Sequence, residues 1–304
     1  MADDMQQQDL KIRQNMDKIG RKILIMSGKG GVGKTTVTVN LANALADMGA
    51  TVGILDTDLH GPNVAKMLGC EGEVMEANED GTLISPVTAA NGVKVVSLSF
   101  ALADDSDAVI FRGPMKISVI RQFLSDVDWG TLDYLLIDSP PGTGDEQLTV
   151  CQSIPALTGC IIVTTPQQVA VLDCRKSVTF ARKVETPIIG VVENMSCLIC
   201  PDCGKEIPVF GKDGGKNMCM EMGVPLLGQI PMELGLQDSE DNGRNWLSDK
   251  NSRSAKAIME IASFINSTVS PTKSEDIYLN SNPSCSPSAC ATCHLDCPSK
   301  KNQQ

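Results

Sequence analysis

The 304-residue chain is 42% hydrophobic but only 3% aromatic, so a sizeable core must be built from Val, Ile, Leu, Ala and Met, as in strands buried on both faces of an α/β sheet. Its formal charge of -11 lacks the electrostatic footprint for holding nucleic acid or anionic lipid. No apolar run approaches the ~20 residues of a membrane span, and the polar stretch Met1–Asp17 is unlike a signal or transit peptide, so a cytoplasmic protein with no nucleic-acid or membrane partner is expected.

Residues 1–20 read as a short polar helix or arm, with Leu10, Ile12, Met16 and Ile19 roughly on one face. From Lys22 onward strands and helices alternate. Ile23–Met26 is a short buried strand, followed by a Gly-rich turn. A helix runs from about Lys34 to Met48, where Gly49 suits its C-terminal cap. Apolar strands follow at Val52–Leu55, Val93–Leu98, Tyr134–Ile137, Cys160–Thr164, Ile188–Val192 and Leu226–Ile230. Helical stretches such as Lys116–Ser125 and Val169–Val184 fit between them, and the last helix spans about Ser252–Ile265. This order predicts an α/β fold: a mostly parallel sheet with helices on both faces, over residues 21–266. Residues 267–304, rich in Ser, Pro, Asn and Cys, cannot build a core and read as a linker with a four-cysteine tail.

The turn Gly28-Lys29-Gly30-Gly31-Val32-Gly33-Lys34-Thr35-Thr36 matches the Walker A pattern after a strand and at the opening of a helix. Its glycines let the backbone wrap phosphates and aim N–H groups at them, and the helix N-terminus adds positive potential. Lys34 is expected to reach the β- and γ-phosphates of ATP, and the Thr35 hydroxyl to bind Mg²⁺. The second strand ends in Asp56-Thr57-Asp58, two carboxylates at the edge of a parallel sheet where ligands bind. The strand Tyr134–Ile137 runs into Asp138-Ser139-Pro140-Pro141-Gly142-Thr143-Gly144. Asp138 is thus a Walker B candidate, and the stiff loop after it a candidate γ-phosphate sensor.

Lys29, directly after the first glycine, resembles the deviant Walker A of the SIMIBI ATPases, which include septum-site, partition, arsenite-pump and nitrogenase-iron-protein relatives. The resemblance implies that Lys29 reaches across a dimer to the partner's nucleotide, a cation delivered in trans. It also implies that Asp58 orients the attacking water, that Asp56 supports Mg²⁺ and its waters, and that Asn194 holds the adenine edge. Lys29, Lys34 and Asp58 are therefore the catalytic candidates. The segment Pro231–Leu234 is expected to close over the base.

Twelve cysteines are many for a cytoplasmic chain, where clustered thiols more often bind metal or do redox chemistry than form disulfides. Seven fall in two groups, Cys197/Cys200/Cys203 and Cys285/Cys290/Cys293/Cys297. The pair Cys200-Pro201-Asp202-Cys203 supplies two thiolates, whereas a tetrahedral zinc or a four-iron cluster needs four ligands. Either this chain adds more or two chains each donate a pair across a two-fold axis. Cys197 reads as a structural thiol or an assisting ligand.

Arg112-Gly113-Pro114-Met115, Asp126 to Gly130, Asp138 to Glu146, Asn194-Met195-Ser196 with Cys200 to Gly204, and Gly228 to Pro231 together resemble the Mrp/Nbp (ApbC-type) iron–sulfur cluster carrier ATPases, over roughly residues 20–265. That resemblance implies a homodimer bridging a labile [4Fe–4S] cluster through Cys200 and Cys203 of both subunits. It further implies transfer to apo iron–sulfur proteins, with slow ATP hydrolysis coupled to cluster binding or transfer. The tail departs from the family. The spacing of Cys290, Cys293 and Cys297 partly matches ferredoxins, so the tail reads as a second Fe–S site, a zinc site with His294 as a further ligand, or plain thiols or disulfides. Two other readings compete. A MinD/ParA-like positioning ATPase expects a basic amphipathic helix or DNA patch, where this C-terminus has only Lys300 and Lys301. An electron donor like nitrogenase iron protein would use two widely separated cysteines.

Overall fold

The computed structural model describes residues 2–58, 61–78, 81, 83–101 and 113–273. Arg112, His294 and the tail cysteines Cys285, Cys290, Cys293 and Cys297 lie outside the described residues. In chain order the elements are α1 (Ala2–Met16), β1 (Ile19–Met26), α2 (Lys34–Asp47), β2 (Val52–Asp56), α3 (Val64–Met67), β3 (Val87–Thr88), β4 (Lys94–Val96), α4 (Gly113–Ser125) and β5 (Leu132–Asp138). There follow α5 (Asp145–Ser153), β6 (Gly159–Thr164), α6 (Gln168–Lys183), β7 (Ile188–Ile199), β8 (Glu206–Ile207), α7 (Gly214–Met222), β9 (Leu226–Met232), α8 (Leu236–Asp241) and α9 (Arg253–Thr268).

The strands form one sheet in the order β3-β4-β2-β5-β1-β6-β7-β8, with β9 also paired to β7. Among the described strands only β3 and β8 are antiparallel to their neighbours. The remaining pairings are parallel, as an alternation of strands and helices demands. β1 lies in the middle, and the period of two along it separates two cores. Ile23 and Ile25 face one core with α2, α3 and α9, while Leu24 and Met26 face the other with α1, α4, α5, α6 and α7. On α9, Ile258, Ile261, Ala262 and Ile265 recur at helical spacing and are buried. Each isoleucine contributes about 1.5–3 kcal/mol by leaving water. The Ser252 side chain accepts the Ala255 N–H at the N-terminus of this helix.

The expected N-terminal helix is α1, whose Ile12 and Met16 are buried and which lies against α4, where Asn15 Nδ2 donates to the Ser125 carbonyl at 2.9 Å. β1 starts at Ile19 rather than Ile23 because it pairs from there with Leu132. The third expected strand is shorter than the apolar run Val93–Leu98. It stops at Val96, where the Ser97 hydroxyl turns to Asp56 at 3.1 Å and accepts the Ser99 N–H, a local side-chain bond that competes with the ladder. β7 is longer than expected. It continues past Val192 to Ile199, so Asn194 sits inside the strand rather than after it.

At the edge of the sheet away from the Gly-rich turn, the fully buried Lys22 donates from Nζ to the carbonyls of Met16, Ile19 and Thr272 at 3.2, 3.0 and 2.9 Å. The Thr272 N–H also donates to Gly20 O at 2.8 Å. The segment after α9 is thereby tied back under β1. Among the described residues no helix is long and apolar enough to cross a membrane.

Candidate functional site

The turn between β1 and α2 emerges at the C-terminal edge of the central strand, the edge where parallel sheets bind ligands. Gly31 and Gly33 have φ of 77° and 79°, the left-handed region that glycine enters without a Cβ penalty. Gly28 is required for a different reason: a Cβ there would stand 2.2 Å from the Asp173 carbonyl oxygen of α6. Ser27 Oγ donates to Lys29 O at 3.0 Å, and Gly142 N–H to Ser27 O at 2.8 Å. The turn is thus braced against the loop that follows β5. Gln147 holds that loop from the other side, donating from Nε2 to Ser139 Oγ and Pro140 O at 2.7 Å each.

A cavity of about 430 Å³ opens over the turn, lined by Lys29 to Thr36 together with Asp58, Asn63, Lys66, Pro141, Glu240 and Asp241. Lys34 is buried, with its Nζ 2.8 Å from Asp138 Oδ2. That contact is short but not aligned as a hydrogen bond, and the ammonium has no other protein acceptor among the described residues. A buried, under-satisfied ammonium in a cradle of glycine amides fits a phosphate group. Thr35 Oγ1 and Thr38 Oγ1 each donate to Asp138 at 2.7 Å. The Thr35 hydroxyl beside the Asp138 carboxylate is an all-oxygen donor set of the kind Mg²⁺ takes.

Asp56 pairs in register with Asp138 across β2 and β5. It accepts the Asp58 N–H at 3.0 Å and the Ser97 hydroxyl at 3.1 Å. Burial pushes its carboxyl well above the usual carboxylate range; Asp138 pushes the same way, and Lys34 opposes. Thr57 ties the two carboxylate-bearing strand ends together, its N–H and hydroxyl both donating to Asp138 O at 2.8 Å. Of the side chains expected at the site, Lys29, Lys34, Thr35, Thr36 and Asp58 line the cavity, whereas Asp56, Asp138 and Asn194 do not reach its wall. Asn194 is buried and donates from Nδ2 to the Val32 carbonyl at 2.9 Å. One amide N–H is thus committed to the Gly-rich turn in this state.

The sequence reading missed Glu240 and Asp241 of α8. Glu240 accepts from Asn40 Nδ2 at 2.7 Å and from Thr36 Oγ1 at 3.2 Å. Burial pushes its carboxyl up to about 7, against those two hydrogen bonds. Nothing in the sequence flags it, because its partners lie some two hundred residues away. Pro231 lines a second cavity, beside Cys197 and Arg253.

β7 and β8 form a hairpin whose tip holds the Cys-x2-Cys pair, with Ile199 opposite Glu206. Cys200 N–H donates to Lys205 O and Gly204 N–H to Cys200 O, both at 2.9 Å, and Gly204 closes the turn at φ 68°. The backbone N–H groups of Cys203 and Asp202, and the Cys203 thiol, lower the Cys200 pKa, which favours the thiolate that binds metal. Cys203 is exposed. Cys197 differs: burial raises its pKa. Among the described residues no group of three or more Cys, His, Asp or Glu is placed to hold a metal ion.

The model of the NUBPL iron-transfer P-loop NTPase family, within the ParA group, matches residues 18–266. An iron-sulfur cluster carrier protein of Methanocaldococcus jannaschii is 55% identical over 237 residues, 78% of this chain and 81% of that one. A nucleotide-binding protein of Archaeoglobus fulgidus, solved in complex with ADP, superposes with a TM-score of 0.69 at 38% identity, covering 78% of this chain and 92% of that one. The cell division ATPase MinD of Pyrococcus furiosus superposes at 0.59 with 28% identity, over 82% and 99% of the two chains. With its lysine-bearing glycine turn, its paired strand-end carboxylates and its Cys-x2-Cys hairpin, the chain belongs to the NUBPL iron-transfer P-loop NTPases, in the branch of the Mrp/ApbC-type iron–sulfur cluster carriers.

Proposed function

We propose that this chain is an ATP-dependent iron–sulfur cluster carrier: a homodimer that holds a [4Fe–4S] cluster between Cys200 and Cys203 of each subunit and passes it to apo iron–sulfur proteins. The observation that carries the reading is the pairing of two features on one sheet. One is a phosphate cradle with a buried, under-satisfied Lys34. The other is a hairpin whose amides favour the Cys200 thiolate. One chain supplies two thiolates at that tip, and a cubane needs four ligands, so a second copy completes the set.

In the nucleotide half, the glycine amides and Lys34 bind the phosphates. Thr35 and Asp138 would hold Mg²⁺, which when bound neutralises phosphate charge, with Asp56 supporting from behind. Asp58, on the cavity wall, orients the attacking water and draws off its proton as the terminal phosphoryl group departs from ADP. Lys29 reaches the partner's nucleotide and stabilises charge only in the closed dimer. Asn194 turns its remaining amide N–H and its carbonyl toward the adenine edge. Hydrolysis is slow and changes the dimer geometry around the cargo. The tail cysteines form a second cluster or zinc site.

The test is anaerobic reconstitution with iron and sulfide, followed by iron and sulfide assay, Mössbauer spectroscopy and mass measurement in solution. The full chain is expected to form a cluster-loaded dimer. Cys200→Ala and Cys203→Ala should lose the bridging cluster yet bind nucleotide as the parent does. A chain truncated after Lys273, which keeps the Thr272 anchor, should lose only the tail metal. A bridging cluster retained in Cys200→Ala would refute the ligand assignment. A colourless, iron-free protein would favour a MinD-like positioning ATPase.

A further inference from the structure

Glu240 places a carboxylate on the wall of the nucleotide cavity, where phosphates would also sit. It is held there by two donors one helical turn apart on α2, Thr36 and Asn40. Thr36 belongs to the first turn of α2, whose N–H groups have no partner within the helix and attract anions. Glu240 is an anion already using that end of the helix through the Thr36 hydroxyl. Other charges surround it. Asp241 and Asp238 lie on α8 itself, and Asp238 is paired with Arg244. Lys29, Lys34, Asp58 and Lys66 line the cavity with it. Asp47 stands at the far end of α2, near Asn245. The turn at Trp246–Ser248, also packed on α8, brings no titratable group.

We propose that Glu240 is a built-in competitor of the nucleotide's phosphates at Thr36, so that nucleotide binding takes up a proton at the Glu240 carboxyl. The inference rests on reading the cradle as the nucleotide site. The step balances simply: the chain with ionised Glu240, one proton from solvent and the Mg-nucleotide give the complex with neutral Glu240, and no covalent bond to the nucleotide changes. The bound phosphates disfavour a second anion beside them. Burial has already brought Glu240 to about 7, so the proton is available near neutrality. Glu240 is thus a positioning residue: ionised, it holds Thr36 and closes α8 on α2; neutral, it yields the hydroxyl to phosphate.

Calorimetric titration with Mg-ADP tests this, at pH values of about 6.5 and 8.5 and in two buffers of different ionisation enthalpy. The parent should bind about 5-fold or more weaker at the higher pH, because each pH unit above the free-state value costs up to ~10-fold. It should also take up a fraction of a proton between those limits. In Glu240→Gln the affinities at the two pH values should lie within about two-fold of each other, with no proton uptake. Asn40→Ser removes the shorter of the two hydrogen bonds to the carboxylate, so its pH midpoint should move upward, a shift that a merely structural role would not produce. Circular dichroism checks that each variant is folded. The same pH slope and proton uptake in Glu240→Gln as in the parent, or an unmoved midpoint in Asn40→Ser, would overturn the inference. A parent that binds Mg-ADP without pH dependence overturns the inference alone; a parent that fails to bind at either pH overturns the nucleotide site itself.

Discussion

Replacing Lys34 by Met should destabilise the nucleotide-free chain in a pH-dependent way. Asp56 and Asp138 are neighbours in register, 1% and 0% exposed, and Lys34 is the cation that acts on both, 2.8 Å from Asp138 and lowering the Asp56 pKa. Removing one partner of a buried pair costs about 3–5 kcal/mol. Asp138 keeps its hydroxyl donors Thr35 and Thr38, which places the cost near the lower end, about 3 kcal/mol. In a domain of this size that is a fall of roughly 6–12 °C in Tm. The sign with pH follows from Asp56. Its folded pKa is raised above the unfolded value, so its contribution to stability is present below the unfolded value and lost as pH rises through the folded one. Lys34 pulls that folded pKa down; without it the loss extends further upward, so the deficit should grow as pH rises across the range in which the parent stays folded. Thermal unfolding by circular dichroism, with chelator and no nucleotide, measures it, and Lys34→Met with Asp138→Asn should regain much of the loss at pH 8. A deficit that nowhere grows with pH over that range, or one that stays under about 2 °C throughout it, would refute the electrostatic argument.

Asp58→Ala should slow steady-state ATP hydrolysis at least ~100-fold while changing the Mg-ADP Kd by less than about three-fold, since the cradle amides and Lys34 remain; unchanged turnover would remove Asp58 from the water-orienting role. Lys22→Met takes the shared donor from three carbonyls, and at 1–3 kcal/mol per orphaned buried group, less the relief of burying an ammonium, it should cost about 2–4 kcal/mol. Urea unfolding reads the global loss and hydrogen exchange at Thr272 the local one; a variant as stable as the parent would show that the anchor at the foot of β1 contributes nothing.

The central sheet was legible because its strands are short runs of apolar residues punctuated by glycine, proline and aspartate. Ile23–Met26 followed by Gly28 admits few readings besides a buried strand entering a phosphate turn. The phosphate and carboxylate residues were legible for the same reason: strand ends of a parallel sheet fall at one edge, so Lys34, Asp58 and Asp138 converge once the strands are known. α7 was not legible. It opens with Gly214 and Gly215, poor helix formers, and its first amides are held by the side chain of Glu193 on β7. The extension of β7 was missed because Glu193-Asn194-Met195-Ser196 breaks the apolar pattern and Met195 takes φ 55°. Glu240 was illegible in principle, because its role exists only once α8 is folded over α2.

The two ends of the proposed chemistry share a strand, and the fit of that strand to the glycine turn limits how they can communicate. A Cβ on Gly33 would stand 2.2 Å from Asn194 Nδ2 and 3.6 Å from Met195 Cε, and Asn194 also holds the Val32 carbonyl. The turn and β7 therefore meet without slack, so a change in the turn's shape must be taken up by β7. The first place with freedom to take it up is the register break between Asn194 and Leu198, where Met195 already sits in the left-handed region. Beyond the break, Leu198 and Ile199 are paired with β8, which carries the strand into the Cys200 turn. The irregular stretch thus lies between the nucleotide-side amide and the metal-side thiolate on the shortest covalent path between them. A nucleotide-driven change that reaches the cysteines along the chain must pass through it.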